Sequence, residues 1–411
     1  MLRRIAKDSA VLFGGEVVSR LILFATSVWL ARSLGPDSFG LVTFAQALLA
    51  YFLIFGDGGL SVYGVRAVAG HPEQARGAWL GITQVRSGLT LALVLVAWLV
   101  LLALPMDAVT RQVVGITITA ALPAALLSDW VLRGLGRMLA ATSLASVQSA
   151  VALVLVWLLV RGPDDVVWAP SARLLGAMAA AILGFFLLRG FPLAGPDLVA
   201  GRVWLRAHGL TTMLASGGAL LMTNLAVLAY NSADTLLLKP FAGNHEVGLY
   251  GSAYRVIQLP MTALYTLTSA ALPALVRSRA GEPAVRRRSM RALTALATAG
   301  GLLVALALWA LRHWIVQLLY GPAYAGAARA LGILAFAVPF DFLVSVKGTG
   351  YIAAGFERTA ALCAGAAALV NVLANLVLIP RYGMIGAAWT TLGTYLLLLV
   401  LYVAILDRKS E

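Results

Sequence analysis

The sequence is poor in charge, cysteine and histidine, and each shortage excludes a class of protein. Only 12% of the 411 residues are charged, whereas 61% are hydrophobic. A water-soluble protein of this composition would have too few polar residues to cover its surface. The single cysteine, Cys363, excludes an internal disulfide, and the four histidines lack metal-ligand spacing. We therefore expect a polytopic membrane protein without a metal centre or cofactor.

Features of nucleotide hydrolysis and of membrane catalysis are absent as well. No G-x4-G-K-[ST] phosphate loop occurs, and no predicted outer loop is long enough to carry a set of catalytic acids and histidines. We therefore expect a transporter that is not an enzyme. The net charge of +14 would suggest nucleic acid in a soluble chain, but most basic residues fall in loops beside the membrane. No nucleic-acid partner is expected.

Long apolar stretches predict membrane-spanning helices. At about 20 residues per crossing, the sequence predicts twelve spans, at 10–31, 39–63, 77–104, 109–132, 138–160, 167–188, 210–238, 247–276, 292–318, 326–350, 356–379 and 384–406. The first span has no small-residue cleavage site, so we expect it to be retained. Arginine and lysine concentrate in alternate loops, and the positive-inside rule then places both termini in the cytoplasm.

Two similar turns divide the chain into halves. LGPDSFGL and AGNHEVGL share a G-x4-G-L pattern, with Gly35 and Gly243 at its start, 208 residues apart. That offset equals six predicted spans, an even number, so the halves have the same orientation. We predict an all-α fold of two six-helix lobes, 1–188 and 210–411, joined by a cytoplasmic linker at 189–209. A pseudo-twofold axis along the membrane normal would relate the lobes around a central cavity.

Three arginines lie near the middle of predicted spans: Arg20, Arg86 and Arg255. A lipid-facing arginine at that depth costs at least about 2.5–3.5 kcal/mol. A water-filled cavity avoids this cost, and there a guanidinium presents a fork of donors to phosphate oxygens. We predict that the three arginines bind an anionic, phosphate-bearing substrate.

Acidic residues inside the spans are candidates for supporting or ion-coupling roles. Glu16 precedes Arg20 by one helical turn, the favourable order for an ion pair; the pair either only joins the first helix to its neighbours or orients Arg20 toward an anionic ligand. Asp57 lies in FGDGGL, where glycines predict a bend. Asp57 and Asp234 are the candidates for binding a proton or a sodium ion. Asp341 is a further supporting or ion-coupling candidate, with pairing to Lys347 or Arg20 as the alternative.

Several segments resemble a known family. LARSLGPDSFGLVTFAQALLAYFLIFGDGGL, LLYGPAYAGAARALGILA and GYIAAGFERTAALCAGAAALVNVLANLVLIPRYGMIGAAWTTLGTY resemble the polysaccharide-transporter branch of the multidrug/oligosaccharidyl-lipid/polysaccharide exporter superfamily, the Wzx-type O-antigen flippases. The resemblance covers nearly the whole chain. The last segment is the strongest, with Asn371, Asn375 and Pro380 in the family's pattern.

The resemblance implies a flippase in the bacterial cytoplasmic membrane. Such proteins move undecaprenyl-pyrophosphate-linked oligosaccharide from the inner to the outer leaflet by alternating access. Related lipid II flippases line their cavity with arginines of the first, second and eighth helices, and Arg20 and Arg255 match two of these. The second helix has Gln46 and Asp57 instead, so Arg86 of the third would substitute, which argues against lipid II as substrate. Membrane lipids and other glycan-assembly proteins are the further partners implied.

Two other hypotheses stay open. The first is a cation-coupled drug exporter of the same superfamily, for which an acidic cavity would be expected. The second is a membrane glycan-assembly enzyme or scaffold, which predicts no translocation between leaflets.

Overall fold

The chain is helical throughout the part that its computed structural model describes, residues 2–189, 198–278 and 283–407. No β-strand occurs in these ranges, and the prediction of an all-α fold is confirmed. Apart from short 3-10 and π segments, the helices are α1 (Leu2–Asp57), α2 (Leu60–Gly70), α3 (Ala75–Ala103), α4 (Ala108–Thr119), α5 (Ala121–Ala125), α6 (Asp129–Gly134), α7 (Met138–Leu159), α8 (Trp168–Arg189), α9 (Leu198–His208), α10 (Leu210–Ser278), α11 (Pro283–Tyr320), α12 (Ala327–Leu334), α13 (Ala337–Ala353) and α14 (Glu357–Leu401).

Eight helical stretches of the described residues are long and apolar enough to cross a membrane. Two of them, Val17–Asp57 and Arg358–Ile405, contain 41 and 48 residues, and each is interrupted by a glycine with non-helical backbone, Gly35 or Gly383. At 1.5 Å per residue, each is about 60–70 Å long, twice the thickness of the hydrocarbon core. Each stretch therefore has the length of two crossings, while the total of twelve stays a prediction.

Some predicted spans are interrupted helices. The predicted span 109–132 consists of α4, α5 and most of α6, and 326–350 consists of α12 and most of α13. The bend predicted at FGDGGL is confirmed, because α1 ends at Asp57 and α2 begins at Leu60. Glycine and proline cause such interruptions within apolar sequence. Non-helical backbone is tolerated at membrane depth only where other protein groups or water satisfy it.

The helices form two compact units. The first contains residues 1–34 and 45–225, and the second contains 35–44 and 226–411. The turn at 35–44 thus groups with the second unit, although the residues on both sides of it belong to the first. The predicted lobes at 1–188 and 210–411 stay a prediction.

The first unit has a core of large buried side chains. Trp130 of α6 is buried against Gly64 of α2 and Ile82 of α3, where a glycine leaves space for the indole ring. Part of the predicted linker contributes to this core: helix α9 places Trp204 against α3, and Gly81 and Gly201 allow the two backbones to approach closely. The linker is therefore helical over Leu198–His208.

The second unit has an aromatic and aliphatic cluster between α13 and α14. Tyr351 and Tyr402 pack edge to face, with ring centroids 5.4 Å apart, and Cys363 is buried beside them. The hydroxyl of Tyr351 donates to the carbonyl of Tyr402 at 3.1 Å. A tyrosine can be buried in this way because its polar end has an acceptor.

Candidate functional site

Arg20 lies on α1 beside the face that packs against α7. The preceding residue, Ser19, is buried, and its Oγ lies 3.2 Å from Oγ of Ser146. Successive side chains of a helix point about 100° apart, and Arg20 is exposed. The side chain of Glu16 lies outside the described residues, so the ion pair of Glu16 with Arg20 stays a prediction.

The candidates Asp57 and Arg86 pair with each other inside the first unit. Nε of Arg86 lies 3.1 Å from Oδ1 of Asp57, and Arg86 is only 8% exposed. Arg86 also donates to the carbonyls of Leu127 and Ala124, at 3.2 and 3.5 Å, while Ser61 donates its amide and hydroxyl to the Asp57 carboxylate. A pyrophosphate would have to displace these partners to reach the Arg86 guanidinium.

The interruption of the fourth predicted span supplies two of these acceptors. Leu127 lies between α5 and α6, outside both helices, and α5 ends at Ala125. Carbonyls at the end of a helix lack intrahelical partners and need other donors. Sequence analysis did not predict the pairing of Asp57 with Arg86. The available signal was a pair of opposite charges in consecutive, hence antiparallel, predicted spans.

Arg255 lies on an aromatic surface in the second unit. Its guanidinium carbon is 4.7 Å from the centroid of the Phe39 ring, and its charge acts on Tyr320 and Tyr324. The rings of Phe39 and Tyr324 pack edge to face at 6.0 Å. Arg255 is half-buried. A guanidinium stacked on a ring keeps its in-plane N–H groups available to further acceptors.

The two repeated turns adopt the same backbone conformation. Gly35 has φ 72° and ψ 171°, and Gly243 has φ 79° and ψ 177°. This region is essentially restricted to glycine, because a Cβ would clash with the neighbouring backbone. The repetition noted in the sequence is therefore a structural repetition of these turns.

The same turns contact each other reciprocally. A Cβ atom on Gly40 would collide with the carbonyl of Asn244, and one on Gly248 would collide with the carbonyl of Pro36. Pro36 and Asn244 occupy equivalent positions of the repeat, 208 residues apart. Near this close contact, Phe39 lies against Arg255. The contact requires glycine at positions 40 and 248.

Asp234 of α10 is fully buried, with 0% exposure. The amide of Thr235 donates to its Oδ1 at 2.7 Å, and the hydroxyls of Tyr250 and Thr391 donate to its Oδ2, the latter at 3.1 Å. No basic side chain forms an ion pair with Asp234 in the part of the chain that the structure describes. A buried carboxylate surrounded by neutral donors alone is an environment that favours a proton or a cation.

Further polar side chains of the second unit lie on α10, α13 and α14. Asn231 accepts hydrogen bonds from the hydroxyls of Tyr254 and Tyr395, at 3.1 and 2.9 Å, and the charge of half-buried Asp341 acts on both tyrosines. Asn371 and Asn375 are fully buried and hydrogen-bonded to each other at 3.0 Å. The ion-coupling candidates Asp234 and Asp341 thus belong to one polar region of the second unit.

Sequence analysis missed most members of this polar region. The signal was the spacing of polar residues four apart on apolar helices, at Tyr250 and Tyr254, at Asn371 and Asn375, and at Thr391 and Tyr395. Such spacing places both side chains on one helix face. Among the described residues, no group of three or more histidine, cysteine or acidic side chains is arranged to hold a metal ion.

The predicted site residues belong to both units. Arg20, Asp57 and Arg86 lie in the first, and Asp234, Arg255 and Asp341 lie in the second. Of these residues, Asp57 and Arg86 form an ion pair in the structure. The convergence of Arg20, Arg86 and Arg255 on one cavity stays a prediction.

Comparison with known sequences identifies the family. The model of a family described as "Polysaccharide biosynthesis protein" matches residues 5–279, and a second model with the same description matches residues 197–407. A protein of Escherichia coli (strain K12) described as "Putative O-antigen transporter" is 24% identical over 407 residues, which cover 96% of this chain and 94% of that protein.

Solved structures show the same fold. The lipid II flippase MurJ, in an inward closed conformation, superposes with a TM-score of 0.77 at 14% identity, covering 97% of this chain and 87% of that one. An inward-facing multidrug resistance MATE family transporter of the MOP superfamily gives 0.72 at 16% identity, covering 96% of both chains. The chain therefore belongs to the polysaccharide biosynthesis protein family, with the fold of the multidrug/oligosaccharidyl-lipid/polysaccharide exporter superfamily.

Proposed function

We propose that this multi-pass membrane protein is a flippase for polyprenyl-pyrophosphate-linked oligosaccharide and not an enzyme. The observation that carries the proposal is a charged, exposed arginine, Arg20, inside an apolar helix. In addition, almost the whole chain aligns with the protein described as "Putative O-antigen transporter". The glycan lipid would move from the inner to the outer leaflet of a bacterial cytoplasmic membrane, with both chain termini on the cytoplasmic side.

The chemistry of such a substrate explains the need for mid-span arginines. A pyrophosphate carries about two negative charges and cannot cross bare hydrocarbon, whereas the polyprenyl tail never needs to leave it. Guanidinium groups in a wet cavity would compensate those charges. Arg20 is exposed, and the ring-stacked guanidinium of Arg255 can present its edge to an anion. We propose these two as the principal pyrophosphate ligands.

Arg86 has a different part in this proposal. Its ion pair with Asp57 and its two carbonyl acceptors favour a structural role beside the α1–α2 break. An anion would reach it only after this pair opens. We therefore expect Arg86 to affect stability more than substrate affinity.

Asp234 is the proposed residue for ion coupling. Its carboxylate is buried and is held by hydroxyl and amide groups without a permanent cation among the described residues. Uptake of a proton or a sodium ion would neutralise it, and a change in these hydrogen bonds would accompany the change in charge. The charge of Asp341 would change the electrostatic potential in the same region, at Tyr254 and Tyr395.

Reconstitution tests the transport proposal. Purified protein in liposomes is expected to move a fluorescent polyprenyl-pyrophosphate sugar between leaflets, and Arg20→Gln or Arg255→Gln is expected to lower the rate at least about tenfold, because each removes one charged contact with the substrate. Arg381→Gln is the matched control, since Arg381 is an exposed arginine in α14. Folded protein that moves no lipid would contradict the proposal and favour an enzyme or scaffold.

The coupling ion is tested in the same liposomes. Imposed proton and sodium gradients identify which ion accelerates transport, and Asp234→Asn is expected to abolish that acceleration while the protein stays folded. Acceleration that persists in Asp234→Asn would remove this residue from the coupling role.

The fold also supports a second candidate, a cation-coupled exporter of small molecules, because the MATE transporter superposes over 96% of the chain. Cationic drugs would be repelled by exposed Arg20 and attracted by acidic residues. Transport of a cationic dye, with no movement of glycan lipid, would favour this candidate.

A further inference from the structure

A pocket of about 650 Å3 lies entirely within the second unit. It is bounded by the last part of α11, by α12 and by the part of α14 that follows Gly383. Its basic side chains are Arg312, His313 and Arg329, and its aromatic ones are Trp309, Phe336 and Trp389. None of the residues assigned to glycan transport above lines it.

The described lining residues combine positive charge with apolar surface and little else. Apart from the basic groups, they are tryptophan, phenylalanine, isoleucine, leucine and glycine. No carboxylate, amide or hydroxyl side chain occurs among them. The pocket thus offers hydrogen-bond donors and positive charge but no anionic acceptor. A negatively charged headgroup beside hydrocarbon matches this lining.

Arg312 is held in place at the wall of the pocket. Its guanidinium lies 5.0 Å from the Trp309 ring centroid, and its Nη1 donates to the Trp309 carbonyl. The remaining N–H groups of a guanidinium bound in this way can point to another acceptor. Arg329, on the first turn of α12, is exposed and adds a second positive charge.

The pocket lies close to one end of the helices that form it. Arg312 precedes the end of α11 at Tyr320 by eight residues, or about 12 Å. Trp309 is 45% exposed and Trp389 is 56% exposed. Tryptophan concentrates where hydrocarbon meets the polar headgroups, because its ring is apolar and its N–H is polar. Arg329, in the first turn of α12, thus lies near this end, whereas Arg312 lies about 12 Å deeper along α11.

We propose that this pocket binds the phosphate headgroup of an anionic glycerophospholipid. The phosphate would accept hydrogen bonds from Arg312 and Arg329, and the acyl chains would lie along Trp309, Phe336 and Trp389. With the termini in the cytoplasm, this end of α11 faces the outer leaflet, and there the planar guanidinium fork fits the phosphate oxygens of a lipid headgroup. The proposal is independent of the glycan-transport function.

Native mass spectrometry of the detergent-purified protein tests the proposal. Phosphatidylglycerol is titrated against phosphatidylcholine with the same acyl chains, and undecaprenyl phosphate and inorganic phosphate are titrated in parallel. We expect preferential binding of phosphatidylglycerol. Its affinity is expected to fall about fivefold for each arginine replaced in Arg312→Gln and Arg329→Gln, because each loses one charged contact at the membrane surface. Arg381→Gln, which does not line the pocket, is expected to bind as the wild type does.

Several results would overturn the proposal. Equal binding of phosphatidylcholine would show that charge is irrelevant, and an equal loss in Arg381→Gln would show diffuse attraction in place of a site. Stronger binding of undecaprenyl phosphate would assign the pocket to the substrate lipid, and competition by inorganic phosphate alone would assign it to a free anion. Because Arg329 is exposed, Arg329→Gln is not expected to disturb packing. An unchanged melting temperature of this variant without lipid would show that a loss of binding is not a loss of folding.

Discussion

The two units hold acidic residues of their apolar helices in different environments, half-buried at Asp57 and fully buried at Asp234. In the first, Asp57 is paired with Arg86, whose guanidinium also donates to two carbonyls. In the second, Asp234 is completely buried and is held by three hydroxyls and an amide. The first acid is neutralised permanently by the protein, whereas the second depends on neutral donors. This difference is the basis for the structural role proposed for Asp57 and for the exchange of a proton or cation proposed at Asp234.

The comparison is tested most strongly by breaking the pair of the first unit. Arg86→Ala leaves the Asp57 carboxylate, whose side chain is 25% exposed, without its cation, so the cost is expected at the lower end of the range for buried ion pairs, about 3 kcal/mol. The free energy of unfolding, measured by denaturant titration in detergent, is expected to fall by this amount. An unchanged value would show that water can solvate the Asp57 carboxylate in place of Arg86.

A double substitution sharpens this first prediction. Asp57→Asn with Arg86→Gln removes both charges and leaves groups that can still form hydrogen bonds. Replacing both members of a buried pair is often close to neutral, so most of the stability lost in Arg86→Ala is expected to return. A double variant as unstable as Arg86→Ala would assign the loss to side-chain packing.

The next largest effect is expected at the hydroxyl donors of the second unit. Tyr250→Phe removes a hydrogen bond to the Asp234 carboxylate, and bonds to charged groups contribute about 2 kcal/mol. The matched control is Tyr351→Phe, which removes a bond to a neutral carbonyl and is expected to cost about 1 kcal/mol. Equal losses in the two variants would argue that Asp234 is uncharged when the protein is at rest.

Thr391→Val is expected to have a smaller effect of the same kind. It preserves shape and removes the 3.1 Å hydrogen bond to Oδ2 of Asp234, but this hydroxyl is shared with the carbonyl of Ala387, also at 3.1 Å, so the expected cost is about 1 kcal/mol. A double-mutant cycle with Tyr250→Phe measures the interaction free energy between the two hydroxyl donors to Asp234. Strictly additive losses would mean that the two hydroxyls stabilise the site independently.

The smallest change in stability is expected for Asp234→Asn. The amide retains an acceptor oxygen and removes a buried charge that has no permanent cation among the described residues, so the free energy of unfolding is expected to stay within about 1 kcal/mol of wild type. Asp57→Asn, in contrast, leaves the Arg86 charge unpaired and is expected to be clearly less stable. If Asp234→Asn were the less stable variant, the structural role proposed for Asp57 and the proton or cation exchange proposed for Asp234 would both be contradicted.

Sequence reasoning was most successful where a property depends on neighbouring residues. Apolar runs predicted helices, and FGDGGL predicted the break after Asp57, because glycine and hydrophobicity act locally. It was least successful for the partners of charged residues. Arg86 and Asp57 are 29 positions apart, and Thr391 is 157 positions from Asp234, so no local pattern specifies either contact. The spacing of Tyr250 and Tyr254 indicated only that they share a helix face.

By itself, the sequence determined that this chain is an all-α membrane protein with a repeated turn. Backbone polar groups must be satisfied internally in hydrocarbon, so long apolar segments are compelled to be helical. Only the tertiary structure decided which charges are permanently neutralised, that Gly40 and Gly248 bring the repeated turns into contact, and that Arg312 and Arg329 face one pocket. Electrostatic and steric partners are chosen by distances in space, and helix packing sets those distances between residues far apart in the chain.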